Sequence, residues 1–283
     1  MLPWFGGVTG WAGLRWYGAR WFSGLHADGV TPARVTLVTN SADIRPQAGI
    51  AVSAEGLHPR EVEEVDGVRV TLPERSALFE MRYAGSLEAA VIVADMAMQA
   101  DVVSLDELAA FAATLSSWTG IPLARRALSL AHENSWSPQE TRMRLVWMLE
   151  AELPAPLCNV PVFDLSGRHI GTPDLFEPRA GVVGEYEGAV HLQGKQRGVD
   201  VRREQAFRDA GLEYFPVVAS DWRDRVSLAA RMRSAYERAR RQPVGTRAWT
   251  LEPPPWWTPT DTVARRRELS AAQRDRLLRR NVG

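Results

Sequence analysis

Three carboxylates and a histidine stand close together in TPDLFEPRAGVVGEYEGAVH, residues 172–191: Asp174, then Glu185 and Glu187, then His191. Like charges facing one another across paired strands destabilise them unless a cation sits between them or water solvates them. If the chain turns at Pro178-Arg179, antiparallel pairing sets position 174 opposite about 183–185. Alternation then puts Glu185 and Glu187 on one face and Tyr186 on the other. Asp174 and Glu185 so placed make a hard-oxygen pair suited to Mg²⁺ or Mn²⁺. Such an ion activates water and stabilises the charge of a phosphodiester transition state. The competing reading is a hairpin with a polar, solvated face, because short motifs of this kind match many sequences. Three features weigh against it. The flanking runs are apolar enough for central strands, Gly184 and Gly188 bracket the acidic triplet and leave room for another backbone, and His191 is near enough to reach the same site. Glu140 is a further candidate, although Ser137-Pro138-Gln139-Glu140 also reads as a capping box with proline at N1.

The elements that would position these groups fall in a second region, 135–241. Residues 137–153 read as an amphipathic helix. Residues 160–165, 169–177 and 181–187 read as three strands joined by the turns SGR and PRAG. Residues 200–211 read as a helix closed by Gly211, 212–220 as a strand, and 223–241 as a long basic helix. A first region, 1–132, opens with an aromatic helix from Trp11 to Phe22 and continues with β-rich runs at 34–39, 49–54 and 67–72. Helices follow, with Thr71…Glu74 and Ser104…Glu107 as capping boxes, Ser86 opening a third helix and Pro122 a fourth. The third region, 242–283, holds the proline and tryptophan run PPPWW and a basic helix with Ser270…Gln273 as its capping box. The run suggests an arm packed on a partner or on its own domain; the helix reads as solvated or as a binding surface for nucleic acid or protein.

Composition narrows the classes. Hydrophobic content of 45% and charged content of 24% are those of a globular chain, and a net charge of zero offers no bulk argument for nucleic acid or membrane. No run approaches the roughly 18 apolar residues of a membrane span. The Trp-rich start, interrupted by Arg15 and Arg20, reads as neither signal peptide nor membrane helix. The single cysteine, Cys158, suits a reducing compartment, and the expected location is the cytoplasm. Basic residues are almost all arginine, with Lys195 the lone lysine.

The order helix, three strands, helix, strand, with Pro173-Asp174 followed by Glu185-Tyr186-Glu187, resembles the core of the PD-(D/E)XK nucleases. The run Glu185-Tyr-Glu187-Gly188-Ala-Val-His191 is similar to the E-x-D-G-x-x-H pattern of the Vsr-like branch, named for very-short-patch-repair endonucleases. The resemblance implies an α/β chain whose C-terminal half carries a restriction-endonuclease-like α-β-β-β-α-β core with a mixed sheet. An α+β region precedes that core and a helical tail follows it. It implies Mg²⁺-dependent (or Mn²⁺-dependent) cleavage of DNA, with Asp174 and Glu185 holding the ion and Glu140 in support. Glu187 would be base or ligand to a second ion, and His191 acid to the leaving oxygen. Arg202, Arg203 and Arg208 on the following helix would contact phosphates.

One departure stands out: Glu187 occupies the place of the signature lysine, and a carboxylate cannot stabilise an anion as an ammonium does. Lys195 either substitutes in space or lies on the surface. The N-terminal half resembles the region before such domains in bacterial chains related to AbiEi-type antitoxins, here without their winged helix and beginning at the aromatic helix. Three functions follow in order of preference: a metal-dependent DNA endonuclease, a non-catalytic binding regulator on the same scaffold, and an assembly protein docking through its Trp-rich ends.

Overall fold

The computed structural model describes residues 6–26, 28–40, 44–45, 47–188 and 195–278. Two units emerge, and neither is a continuous segment: Met1–Glu133 belongs with Thr262–Arg274, and Asn134–Asp261 with Asp275–Gly283. The third region of the sequence is therefore shared between the units.

In the first unit β1 (Gly7–Thr9) runs directly into α1 (Gly10–Trp16), so a strand precedes the aromatic helix. That helix stops well short of Phe22, because Tyr17 closes it and Gly18 takes a φ of 97°. The strands β2 (Val35–Val38), β3 (Ile50–Ser53), β4 (Val62–Val65) and β5 (Val68–Thr71) complete a sheet of order β3-β2-β1-β5-β4. β4 was not expected from the sequence; Asp66 and Gly67, both at positive φ, turn it back into β5 as a two-residue hairpin requires. The helices α2 (Pro73–Arg82), α3 (Leu87–Gln99), α4 (Leu105–Thr114) and α5 (Ile121–Leu128) follow. Ser86 and Ser104 cap α3 and α4 through their hydroxyls, and Glu107 completes the box at Ser104. Thr71 does not cap α2. It lies in β5, its hydroxyl donates to Thr9 Oγ1 at 2.9 Å, and Leu72 precedes the helix instead.

The second unit begins with α6 (Pro138–Leu145), which continues as a π turn over Val146–Glu150 rather than as α-helix to 153. Next come β6 (Leu157–Cys158), β7 (Val162–Asp164), β8 (His169–Gly171), β9 (Leu175–Glu177), β10 (Val182–Glu187), α7 (Lys195–Asp209), β11 (Glu213–Val218), α8 (Arg225–Arg240) and β12 (Trp249–Thr250). The strand expected over 169–177 is two strands in two sheets. Pro173 has no N–H to give a ladder, and Thr172-Pro173-Asp174 breaks the run. β8 joins a sheet of order β12-β7-β8, whereas β9 joins β11-β10-β9-β6. In the latter, β6, β9 and β10 are antiparallel neighbours, and β11, returning through α7, is parallel to β10.

Side-chain alternation sorts this mixed sheet into two cores. Leu175, Val182, Phe215 and Val217 pack with Met143, Trp147, Leu228 and Met232, so α6 and α8 cover one face. Phe176, Val183 and Tyr214 pack with Val162 and Phe207, so α7 and the smaller sheet cover the other. The chain is thus of mixed α/β class, and no described helix is long and apolar enough to cross a membrane.

The tail forms two helices rather than one, and only the second keeps every residue at least partly exposed. α9 (Val263–Arg267) carries Arg266, which is fully buried in the first unit and donates to Asp101 at 2.5 Å and to the carbonyls of Met98 and Glu133. Arg267 pairs with Glu107, and Arg274 on α10 (Ala271–Leu277) pairs with Asp101. Ser270 and Gln273 cap α10 reciprocally.

Candidate functional site

The acidic hairpin forms around a turn one step later than Pro178-Arg179. Its paired positions are Val182 with Glu177, Val183 with Phe176 and Gly184 with Leu175. Glu177, itself buried, closes the turn by accepting from the backbone N–H groups of Arg179 and Ala180, while Gly181 takes a φ of 84°. Continuing the register sets Asp174 beside Glu185, and Asp174 Oδ2 accepts from the N–H of Tyr186 at 2.7 Å. Gly184 makes room for a ring rather than a backbone: a Cβ there would collide with Phe215.

Alternation along β10 holds as read from the sequence. Glu185 and Glu187 share the face covered by α7, and both lie within reach of the Tyr214 hydroxyl, at 3.3 and 3.5 Å. Tyr186 points the opposite way and stacks on Trp222 at 5.8 Å. Glu185 is only 3% exposed. Its Oε2 accepts from Arg203 Nη2 at 2.9 Å, and its Oε1 has no hydrogen-bond partner among the described residues. Burial, which outweighs the attraction of Arg203, and the nearby Asp174 push its carboxyl up to about 7.

Glu140, in the first turn of α6, is a second buried acid that feels the charge of Asp174. Ser137 caps the helix by accepting from the Glu140 N–H, as expected, but the carboxylate reaches further back. Glu140 Oε2 accepts from the Trp136 N–H and from Asn159 Nδ2, each at 2.7 Å. Burial raises its proton affinity well above that of an ordinary carboxyl, and the charge of Asp174 raises it further. Asn159, which follows β6 at a φ of 49°, ties the acids together. Its side chain bonds Glu140 and the Asn134 carbonyl, and its N–H donates to the Asp174 carbonyl. Sequence reasoning missed Asn159 and Tyr214. Only the left-handed preference of asparagine hinted at the first, and the alternation of Tyr214 with Leu212 at the second.

Of the arginines expected to meet phosphates, Arg203 pairs with Glu185 and Arg208 with Glu204 at 2.8 Å. His191 lies outside the described residues, as does the side chain of Lys195. Among the described residues no group of three or more His, Cys, Asp or Glu side chains forms a ready metal cage. The PPPWW arm packs on its own unit: Trp249 extends the smaller sheet, Trp257 lies 5.1 Å from both Phe163 and His169, and Trp256 stays 63% exposed.

No family model, curated protein or solved structure matches this chain.

Proposed function

We propose that the second unit is a metal-dependent DNA endonuclease of the PD-(D/E)XK, Vsr-like type. The observation that carries this reading is that Asp174, beside β9, acts by its charge on two buried acids, Glu140 of α6 and Glu185 of β10, both of which have raised proton affinity. Buried carboxylates whose proton affinity is raised by burial and by a neighbouring charge are a mark of functional sites. Within the larger sheet the order is α6, β6, β9, β10, α7, β11, with β7 and β8 of the smaller sheet inserted between β6 and β9; its one parallel pair, β10 and β11, is compatible with the restriction-endonuclease-like core. The donor set fits Mg²⁺ or Mn²⁺: all donors are oxygens, and the buried Oε1 of Glu185 lacks a partner among the described residues. Mg²⁺ needs only one or two carboxylates beside water and substrate phosphate, so a closed cage is not required.

An ion held by Asp174 and Glu185 would supply Lewis-acid charge and an activated water. Glu140, kept largely protonated by burial, would limit repulsion around Asp174, and Asn159 would hold it there. Glu187, on the same face as Glu185, would take the proton of the attacking water, and the single hydroxyl proton of Tyr214 would go to one or other of the two glutamates. His191 is proposed as acid to the leaving oxygen, and Arg202 and Arg208 as phosphate contacts. The test is nicking of supercoiled plasmid with Mg²⁺ or Mn²⁺. Cleavage by the wild type that disappears in Asp174→Ala is expected; no cleavage with any divalent ion would overturn the reading.

A second reading, a non-catalytic DNA- or protein-binding regulator, is favoured by one contact. Arg203 already neutralises Glu185, and Glu187 stands where a lysine would serve catalysis. DNA binding without metal, unchanged by Asp174→Ala, would support it.

A further inference from the structure

We propose that Arg203 is a built-in stand-in cation at the acidic site, pairing with Glu185 to hold a divalent ion off until a DNA phosphate draws the guanidinium away. The inference rests on the reading of Asp174 and Glu185 as metal ligands. Its basis is an asymmetry in the pair. The Glu185 side chain is 4% exposed and fixed on a central strand, whereas the Arg203 side chain is 40% exposed. Arg203 lies one helical turn from Phe207, which is fully buried against the sheet, so the backbone of α7 is anchored. Of the two partners, the Arg203 side chain is the one with access to water.

Arg203 Nη2 occupies Oε2 of Glu185 and puts a positive charge beside the oxygens an ion would use. An incoming divalent ion meets that like charge in a poorly solvated place, where repulsion is far stronger than in water. The remaining oxygen, Oε1, is buried without a partner among the described residues, so the pair satisfies Glu185 only in part. A phosphate can offer the guanidinium fork two oxygens, where Glu185 gives it one. Arg203 is a positioning residue here, acting on the ion through Glu185. DNA binding and metal binding then help each other, and by linkage each raises the affinity of the other by the same factor.

The test titrates Mn²⁺ calorimetrically into the full chain as wild type, Arg203→Gln, Arg203→Lys and Glu185→Gln, each alone and with a short mixed-sequence DNA duplex. Without DNA, Arg203→Gln is expected to bind Mn²⁺ on the order of tenfold more tightly than wild type. Arg203→Lys, which keeps the charge, stays near wild type. The duplex tightens Mn²⁺ binding to wild type by a similar factor and leaves Arg203→Gln little changed. Equal or weaker Mn²⁺ binding by Arg203→Gln, or equal tightening of both proteins by the duplex, would overturn the gate while leaving the metal site standing. Glu185→Gln binding Mn²⁺ as wild type does, or no binding by any protein that melts cooperatively, would overturn the metal site and the gate with it.

Discussion

Replacing Glu185 by glutamine tests whether burial, rather than pairing, dominates the electrostatics of the site. In the folded chain this carboxyl titrates near 7 instead of 4.5. A carboxyl with raised folded affinity binds more protons folded than unfolded between those two values. Stability from this group is therefore full at low pH, falls as pH rises from about 4.5 to about 7, and is flat above. At about 1.36 kcal/mol per pH unit, the interval corresponds to a loss of roughly 3 kcal/mol. Glu185→Gln removes the titration, so between pH 5 and pH 9 wild type should lose on the order of 3 kcal/mol more than the variant. The comparison is a difference of differences, so any constant cost of the amide at Oε1 cancels. Urea unfolding read by hydrogen exchange on peptides of β10 and β11 isolates the second unit. Equal changes in the two proteins, or a variant that loses more than wild type as pH rises, would refute the argument.

Other substitutions probe the supports. Gly184→Ala drives a methyl into the Phe215 ring and should cost about 1–3 kcal/mol in thermal denaturation, with no change in the hairpin's hydrogen bonds. Asn159→Ala loses the bonds to Glu140 and Asn134 and strains a left-handed backbone, at roughly 1–3 kcal/mol. Asn159→Gly relieves only the backbone part, so stability should fall in the order wild type, Gly, Ala. In the first unit, Arg266→Ala leaves Asp101 short of its buried partner and should cost about 3–5 kcal/mol, read as faster exchange in α3 and easier proteolysis of 262–274.

What the sequence determined by itself was whatever depends on neighbours along the chain. Proline and glycine punctuation placed the hairpin to within one residue. The two-residue period put Glu185 and Glu187 on one face and Tyr186 on the other. Ser86, Ser104, Ser137 and Ser270 marked helix starts correctly, because a cap is satisfied within four residues. Thr71 failed as a cap because β5 takes it into the sheet, where its hydroxyl meets that of Thr9, 62 residues away, as well as that of Ser76.

Tertiary structure alone decided the rest. Two sheets divide 169–177, since each half finds its partner strand elsewhere. The tail's arginines look solvent-facing in sequence, yet Arg266 is buried because Asp101, 165 residues away, supplies its counter-charge. At the site, the acids' types were legible, but their ionisation was not. Whether a glutamate is charged depends on how much water packing removes and on which cation is brought to it, and Arg203 reaches Glu185 only through the fold.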